Sequence, residues 1–278
     1  MPTARRLKVD YSTVSRRIAE LEKDLAVTLF ERKSDGFILT GDGHRLFEIA
    51  EKMETLSFSV GEAFSNQPGE VHGRVRLATM EGIAAYYLSE KLGELNKIHP
   101  NLVVELVTER HLINLTKREA DISIGFMPPI GQKLSINKAG TFSLGLFASA
   151  GYLASRGTPS RVSELNKHDF VDYVPDLVTI PMVHWLLDVI EPEHVVFRSS
   201  SMAAQQNAIA SGRGVGLLPY FSAKRDPRLI AVLPSGVKIR RDLYVAVHQD
   251  IEHVGRIRAL VRFVTDLFKS DSNFLNNP

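Results

Sequence analysis

From about residue 70 onward, short apolar runs alternate with stretches of helical period. This alternation limits the possible folds more than any other feature of the chain. Strand-like runs fall at 74–79, 103–107, 121–126, 144–148, 170–174, Val195–Arg198, 215–218, 230–233 and 243–247. Amphipathic segments fall at 84–98, 112–118, 162–165, 183–189, 201–211 and 254–268. Such a pattern predicts an α/β unit with a mostly parallel, doubly wound sheet. Roughly two hundred residues is large for one compact unit and suits two subdomains around a cleft. The polar tail from Ser270 to Pro278 is expected to fray.

Upstream the pattern is different. Asn66-Gln67-Pro68-Gly69 breaks a helix and reads as a linker. The helix before it opens at Thr40. Leu46, Ile49, Met53, Leu56, Val60 and Ala63 follow at spacings of 3, 4, 3, 4 and 3. A heptad seam of this kind keeps one apolar stripe against a partner helix and implies a two-stranded coiled coil, hence a dimer. Phe47, Phe58 and Phe64 lie off the seam, and a helix packed on its own domain also fits.

The stretch from Asp10 to Arg32 carries the clearest surface chemistry. Val14, Ile18, Leu21 and Leu25 share one stripe of a helix at about 100° per residue. Ser12, Thr13, Arg16, Arg17 and Glu20 lie opposite, and Asp10 or Ser12 is placed to cap the start. Hydroxyls and arginines near a helix N-terminus suit a DNA major groove, where Arg pairs with guanine edges and hydroxyls hold phosphate. An ordinary amphipathic surface helix has the same pattern. Next comes a turn, Ser34-Asp35-Gly36, and a short apolar strand, Phe37 to Leu39, so the segment reads as a hairpin. Arg32 and Lys33 sit where such a wing would reach the sugar-phosphate backbone, although Lys33 alone reads equally well as a solvated turn.

The composition is that of a globular protein, with 44% hydrophobic and 24% charged residues. A formal net charge of +2 requires any nucleic-acid footprint to be local. With no Cys, disulfides and thiolate metal sites are excluded. The N-terminus has no signal-peptide core, and no run approaches the ~20 apolar residues of a membrane span, so the cytoplasm is the default location. No G-x-S-x-G elbow occurs. Gly212-Arg213-Gly214-Val215-Gly216 follows a helix and precedes a strand, the reverse of a dinucleotide loop, and reads as a helix C-cap. The histidines show no paired-ligand spacing, and Glu191, Glu193 and His194 make a poor metal site in a Pro-containing loop. Trp185 is expected in a core or a cleft wall. No catalytic set, metal or cofactor is implied.

Ala4, Leu7, Val9, Val14, Ser15, Arg16, Ile18, Leu21, Glu22, Leu25, Leu29, Phe30, Glu31 and Arg32 together resemble the helix-turn-helix and start of the wing of LysR-type transcriptional regulators. GRVRLATMEGIAAYYL, HPNLVVELV, ADISIGF, FASAGYLA and ASGRGVGLLP resemble the effector domain of the same family, which is similar to periplasmic solute-binding proteins. The resemblance implies a winged helix-turn-helix at 1–43, a linker and dimerisation helix at 44–68 and an effector domain at 69–278. Its subdomains would span about 71–147 with 249–270, and about 148–248. It also implies that the first helix of the winged unit is missing, because the chain starts inside the second. Tyr11, Ser12, Thr13, Ser15, Arg16, Arg17, Arg32 and Lys33 would face double-stranded DNA.

In open α/β sheets, ligands bind beyond the carboxyl ends of strands, beside helix N-termini. Four places qualify: 79–82, 108–111, 126–129 and 199–202. The resemblance points to Thr79, Met80, Glu81, Thr108, Ser149, Ser200 and Ser201 as effector contacts, and Phe126 belongs to the third place. Each also reads as a plain connecting loop. Strands near 144–149 and 245–249 would cross between subdomains as hinges. Glu81 departs from the family, where a small hydroxyl or apolar residue is common. Facing the cleft, it would disfavour a simple anion and favour an amine or hydroxyl-rich ligand; on the surface, it would only complement its own helix dipole. The reading reached is a dimeric or tetrameric DNA-binding regulator modulated by a small molecule. The alternative is a ligand-binding module that has lost DNA binding; an enzyme on the same fold lacks a site.

Overall fold

The computed structural model describes residues 10–33, 36–63, 71–108, 115, 119–177 and 185–278. Ala4, Leu7 and Val9, the turn residues Ser34 and Asp35, the linker 66–69 and the helix expected at 112–118 (Leu115 apart) lie outside them. The chain divides into two compact units, Met1–Phe64 and Ser65–Pro278.

The first unit contains helix α1 (Tyr11–Leu25), the hairpin β1 (Phe30–Lys33) and β2 (Gly36–Leu39), and helix α2 (Gly41–Ala63). α1 ends on Ala26 in the left-handed conformation, φ 52°. The Ala26 N–H donates to the Lys23 carbonyl and the Val27 N–H to the Glu22 carbonyl, the paired bonds of a Schellman turn. The expected side-chain cap at the other end is not made. Asp10 holds the N-cap position in extended backbone, but only its carbonyl accepts, from Thr13 and Val14. Thr40 does cap α2: its hydroxyl accepts from Gly43 N–H at 2.9 Å and donates to the Thr28 carbonyl at 2.5 Å. Gly43 is required there, because a Cβ would sit 2.1 Å from the Leu29 carbonyl oxygen. Along α2, Leu46 is half-buried while Ile49, Met53 and Leu56 of the heptad seam are exposed.

The second unit is built on a seven-stranded sheet of order β10-β6-β11-β5-β3-β4, with β9 also on β6. Its strands are β3 (Gly73–Thr79), β4 (Leu102–Thr108), β5 (Ile122–Gly125), β6 (Leu134–Ser149), β9 (Gly216–Pro219), β10 (Leu229–Val232) and β11 (Ile239–His248); a parallel pair, β7 (Phe170–Asp172) and β8 (Val195–Arg198), lies apart. The α/β alternation is realised, but the sheet is mixed rather than mostly parallel. β3 runs parallel to β4 and β5, whereas β6, β9, β10 and β11 pair antiparallel. The difference comes from β6 and β11, whose long extended runs return on each other. The first half of β6 gave no strand signal because residues 136–138 are exposed and Gly140 interrupts it.

β6 and β11 join two lobes. Residues 244–247 of β11 pair with β5, while residues 144–149 of β6 pair with β9 and β10. Between these regions a bulge shifts the register at Leu243/Tyr244, opposite Gly140 and Lys138. Of the strands expected as hinges, 144–149 pairs with β9 and β10, and 245–247 pairs with β5. Helices cover the sheet: α3, which begins as Glu81–Ile83 and continues through a π-helical turn Ala84–Leu88 into Ser89–Ile98; α4 (Ala150–Arg156); α5 (Met202–Ala210); α6 (Tyr220–Ala223); α7 (Gly255–Ser270); and α8 (Ser272–Asn276). The segments at 162–165 and 183–189 form 3-10 turns, Val162–Lys167 and Trp185–Asp188. In α7, Ile257, Leu260, Val264 and Phe268 are fully buried at helical spacing.

The tail does not fray. α8 buries Leu275, and the Phe274 ring stacks on Tyr87. Asn276 accepts from the buried Ser143 hydroxyl at 2.9 Å and donates to the Thr141 carbonyl at 2.9 Å. The Gly212 reading does hold: Gly212, φ 88°, closes α5 with Schellman bonds to Ile209 and from Arg213 to Ala208.

Candidate functional site

The first unit presents a basic tip. Ser12, Ser15, Arg16 and Arg17 are exposed on the first turns of α1 and Thr13 is half-buried; Tyr11 begins the helix. Arg16 pairs with Glu20 at 3.9 Å, but both side chains are mostly in solvent, so the pair contributes little and leaves the guanidinium free to swing. Arg32 and Lys33 are exposed on β1, opposite Phe37 and Gly36 of β2. Glu22 fixes the hairpin to the helix by accepting Leu29 and Phe30 N–H at 2.7 and 3.2 Å.

In the second unit, four of the expected contact positions converge at the carboxyl ends of the parallel strands. Thr79 and Thr108 are partners across β3 and β4, Thr79 also pairs with Ile124, and Phe126 follows two residues beyond. Thr79 is 5% exposed, and its hydroxyl donates to the Ile124 carbonyl at 2.9 Å, so it ties β3 to β5. Phe126 is buried edge-on against Trp185, with ring centroids 4.9 Å apart. Met80 is the N-cap of α3 and packs on the main core.

Glu81 makes the decisive contact. Its carboxylate does more than face its own helix dipole. One oxygen accepts the Ser201 hydroxyl at 2.8 Å and the other accepts the Met202 N–H at 2.7 Å. The first turn of α3 is thereby joined to the first turn of α5, 120 residues later. The Ser201 hydroxyl also caps α5 by accepting Ala204 N–H, and Ser199 accepts Ser201 N–H. Gly82 lies beside Glu81, where a Cβ would meet the flexible Met202 side chain at 2.4 Å from Sδ. Ser200 is half-buried beside this junction.

Ser149 is not brought to this junction. It ends β6 in the row with Leu229 and caps α4 through Tyr152 N–H. Asn137 of β6 shares a row with Val245, Ile124 and Thr79. Ser149 lies twelve residues further along, a distance of up to about 40 Å on an extended strand. Two residues of the junction carried no sequence signal. Gln205, 3% exposed, donates to the Ser199 carbonyl at 2.9 Å. The Tyr173 hydroxyl is raised above its usual range by burial, and further by the charges of Glu81 and Asp172. Neither belongs to a loop at a strand end in the linear pattern, so only the assembled lobes reveal them.

A helix-and-wing tip followed by a two-lobed α/β unit, with the N-termini of α3 and α5 meeting at Glu81, is the architecture of a DNA-binding regulator that carries a solute-binding-like domain. Two family models match the chain: the LysR substrate binding domain over residues 68–269, and the bacterial regulatory helix-turn-helix protein of the lysR family over residues 2–44. The chain belongs to the LysR family and is a transcriptional regulator with an effector-binding domain. It is 29% identical over 227 residues to the iron-regulated virulence regulatory protein IrgB of Vibrio cholerae, covering 79% of this chain and 74% of that protein. Its fold is similar to CrgA, a LysR-type regulator from Neisseria meningitidis (TM-score 0.62, 21% identity, 95% of this chain and 92% of that one). It is also similar to a full-length OxyR variant from Pseudomonas aeruginosa (TM-score 0.71, 19% identity, 96% and 88%). The helix-turn-helix match favours a regulator over a binding module that has lost DNA reading. LysR-type regulators bind DNA and small-molecule effectors and act as oligomers. Among the described residues no helix is long and apolar enough to cross a membrane.

Proposed function

We propose that Tyr11, Ser12, Thr13, Ser15, Arg16 and Arg17 form the major-groove surface of this regulator, with Arg32 and Lys33 on the flanking phosphates. The exposed run of hydroxyls and guanidinium groups at the start of α1 carries this reading. The exposed seam of Ile49, Met53 and Leu56 supports a homodimer through α2, which would present two such tips to paired half-sites. Thr79, Met80, Glu81, Thr108, Phe126, Ser200 and Ser201 surround the effector cleft in this reading. A bound effector alters the lobe arrangement and so the spacing of the tips, provided its affinity differs between the two states. A regulator of chromosomal DNA works in the cytoplasm.

The test is fluorescence anisotropy with the full chain and promoter fragments tiled across the region upstream of its own gene. Arg16→Ala should weaken specific binding by at least about tenfold while the effector domain melts as in the wild type. Unchanged affinity would remove Arg16 from the interface.

A further inference from the structure

We propose that Glu81 is a resident carboxylate ligand of the effector cleft: the chain's own anion occupies the seat at the α5 N-terminus and latches the two lobes together. This rests on the reading of the cleft as the effector site, and adds to it what fills the seat in the free protein.

The seat has the donors a carboxylate needs. The Ser201 hydroxyl and the Met202 N–H meet separate oxygens of one carboxylate, at 2.8 and 2.7 Å. Charge-assisted bonds of this length are among the stronger ones in proteins. α5 spans nine residues, so its first turn also carries the positive end of a helix dipole. Glu81 is itself the first residue of α3, and its charge therefore lies between two helix N-termini. Gly82 and Met202 are in contact beside it, with no room for a side chain at Gly82 unless Met202 moves. Ser201 is held for the task from behind, by Ser199 on its N–H and by Gln205 on the Ser199 carbonyl.

A tethered carboxylate competes at an effective concentration in the millimolar range or above, so a free carboxylate displaces it only at comparable or higher concentration. Simple carboxylates must therefore compete with Glu81 for the Ser201 and Met202 donors in the wild-type protein. An effector of this regulator acts without an anionic group there, or acts by drawing Glu81 away.

Chemical rescue tests the latch in the full-length chain. Trp185, the single tryptophan, lies against Phe126, just past the end of β5, the strand that pairs with Thr79, and its emission reports on packing at that end of the sheet. Glu81→Ala should lower the melting temperature by several degrees and shift Trp185 emission. Sodium acetate should reverse both changes, while sodium chloride at equal ionic strength should not. The wild type should show no acetate response. Glu81→Gln, which preserves the volume, should fall between the two proteins. A Glu81→Gln protein identical to the wild type would overturn the proposal, as would an alanine variant that acetate and formate both fail to restore, or an acetate response in the wild type. The readouts do not involve DNA, so failure of promoter binding would count against the regulator interface and leave the latch result standing.

Discussion

The Glu22 carboxylate accepts the backbone N–H of Leu29 at 2.7 Å, seven residues further along the chain. The same oxygen accepts Phe30 N–H at 3.2 Å. Two N–H groups at the start of the wing would otherwise lack a partner, so one side chain sets the angle between helix and hairpin. Glu22→Ala should lower the stability of the first unit by roughly 1–3 kcal/mol, the usual range for losing bonds to a charged group. It should also weaken DNA binding at every sequence alike, because Arg32 and Lys33 lose their register while the α1 face is untouched. Denaturant melts and anisotropy on matched and mismatched fragments measure the two effects. A loss confined to the specific fragment would contradict this role.

The C-terminal helix is a structural part of the second unit. Leu275 is 1% exposed and Ser143, which donates to Asn276, is fully buried. Leu275→Ala should cost roughly 2–5 kcal/mol through the cavity it leaves. Asn276→Ala should add a separate loss by leaving the Ser143 hydroxyl without its acceptor. Chemical denaturation of the two variants checks both, and wild-type stability in either would show the tail to be dispensable.

His168 gives the second unit a dependence on acid. Burial lowers its pKa, Arg156 lowers it further, and Asp169 and Glu164 oppose the shift. Its Nδ1 is buried without a partner among the described residues. The unfolded chain therefore takes up the proton first. Stability is fully present above the unfolded value of about 6.5 and declines as pH falls through the lower folded value. His168→Gln should flatten the fall in melting temperature between about pH 7.5 and 5 by the part that His168 supplies. An unchanged slope would assign the acid sensitivity elsewhere.

The elements near the DNA were legible because their signals are local. A stripe at helical spacing and a Thr before a glycine-rich turn each act within a few residues, and α1 and the Thr40 cap follow from them. The missing side-chain cap at Asp10 is not legible in the same way: residue type makes a cap available, but backbone geometry decides whether the side chain turns inward. The packed tail is not legible because two apolar residues in a polar segment carry no period, yet Tyr87 meets Phe274 from across the fold.

The linear pattern by itself determined an α/β body behind a helix-and-wing tip, since periodicity and turn chemistry need only neighbours along the chain. It also placed Glu81 and Ser201 at helix starts, where charge and hydroxyls concentrate. Only the folded lobes decided that these two residues meet. Their partnership joins residues 120 positions apart in the chain and exists only once the sheet has brought the first turns of α3 and α5 together. That is a long-range packing outcome, to which no local preference is sensitive.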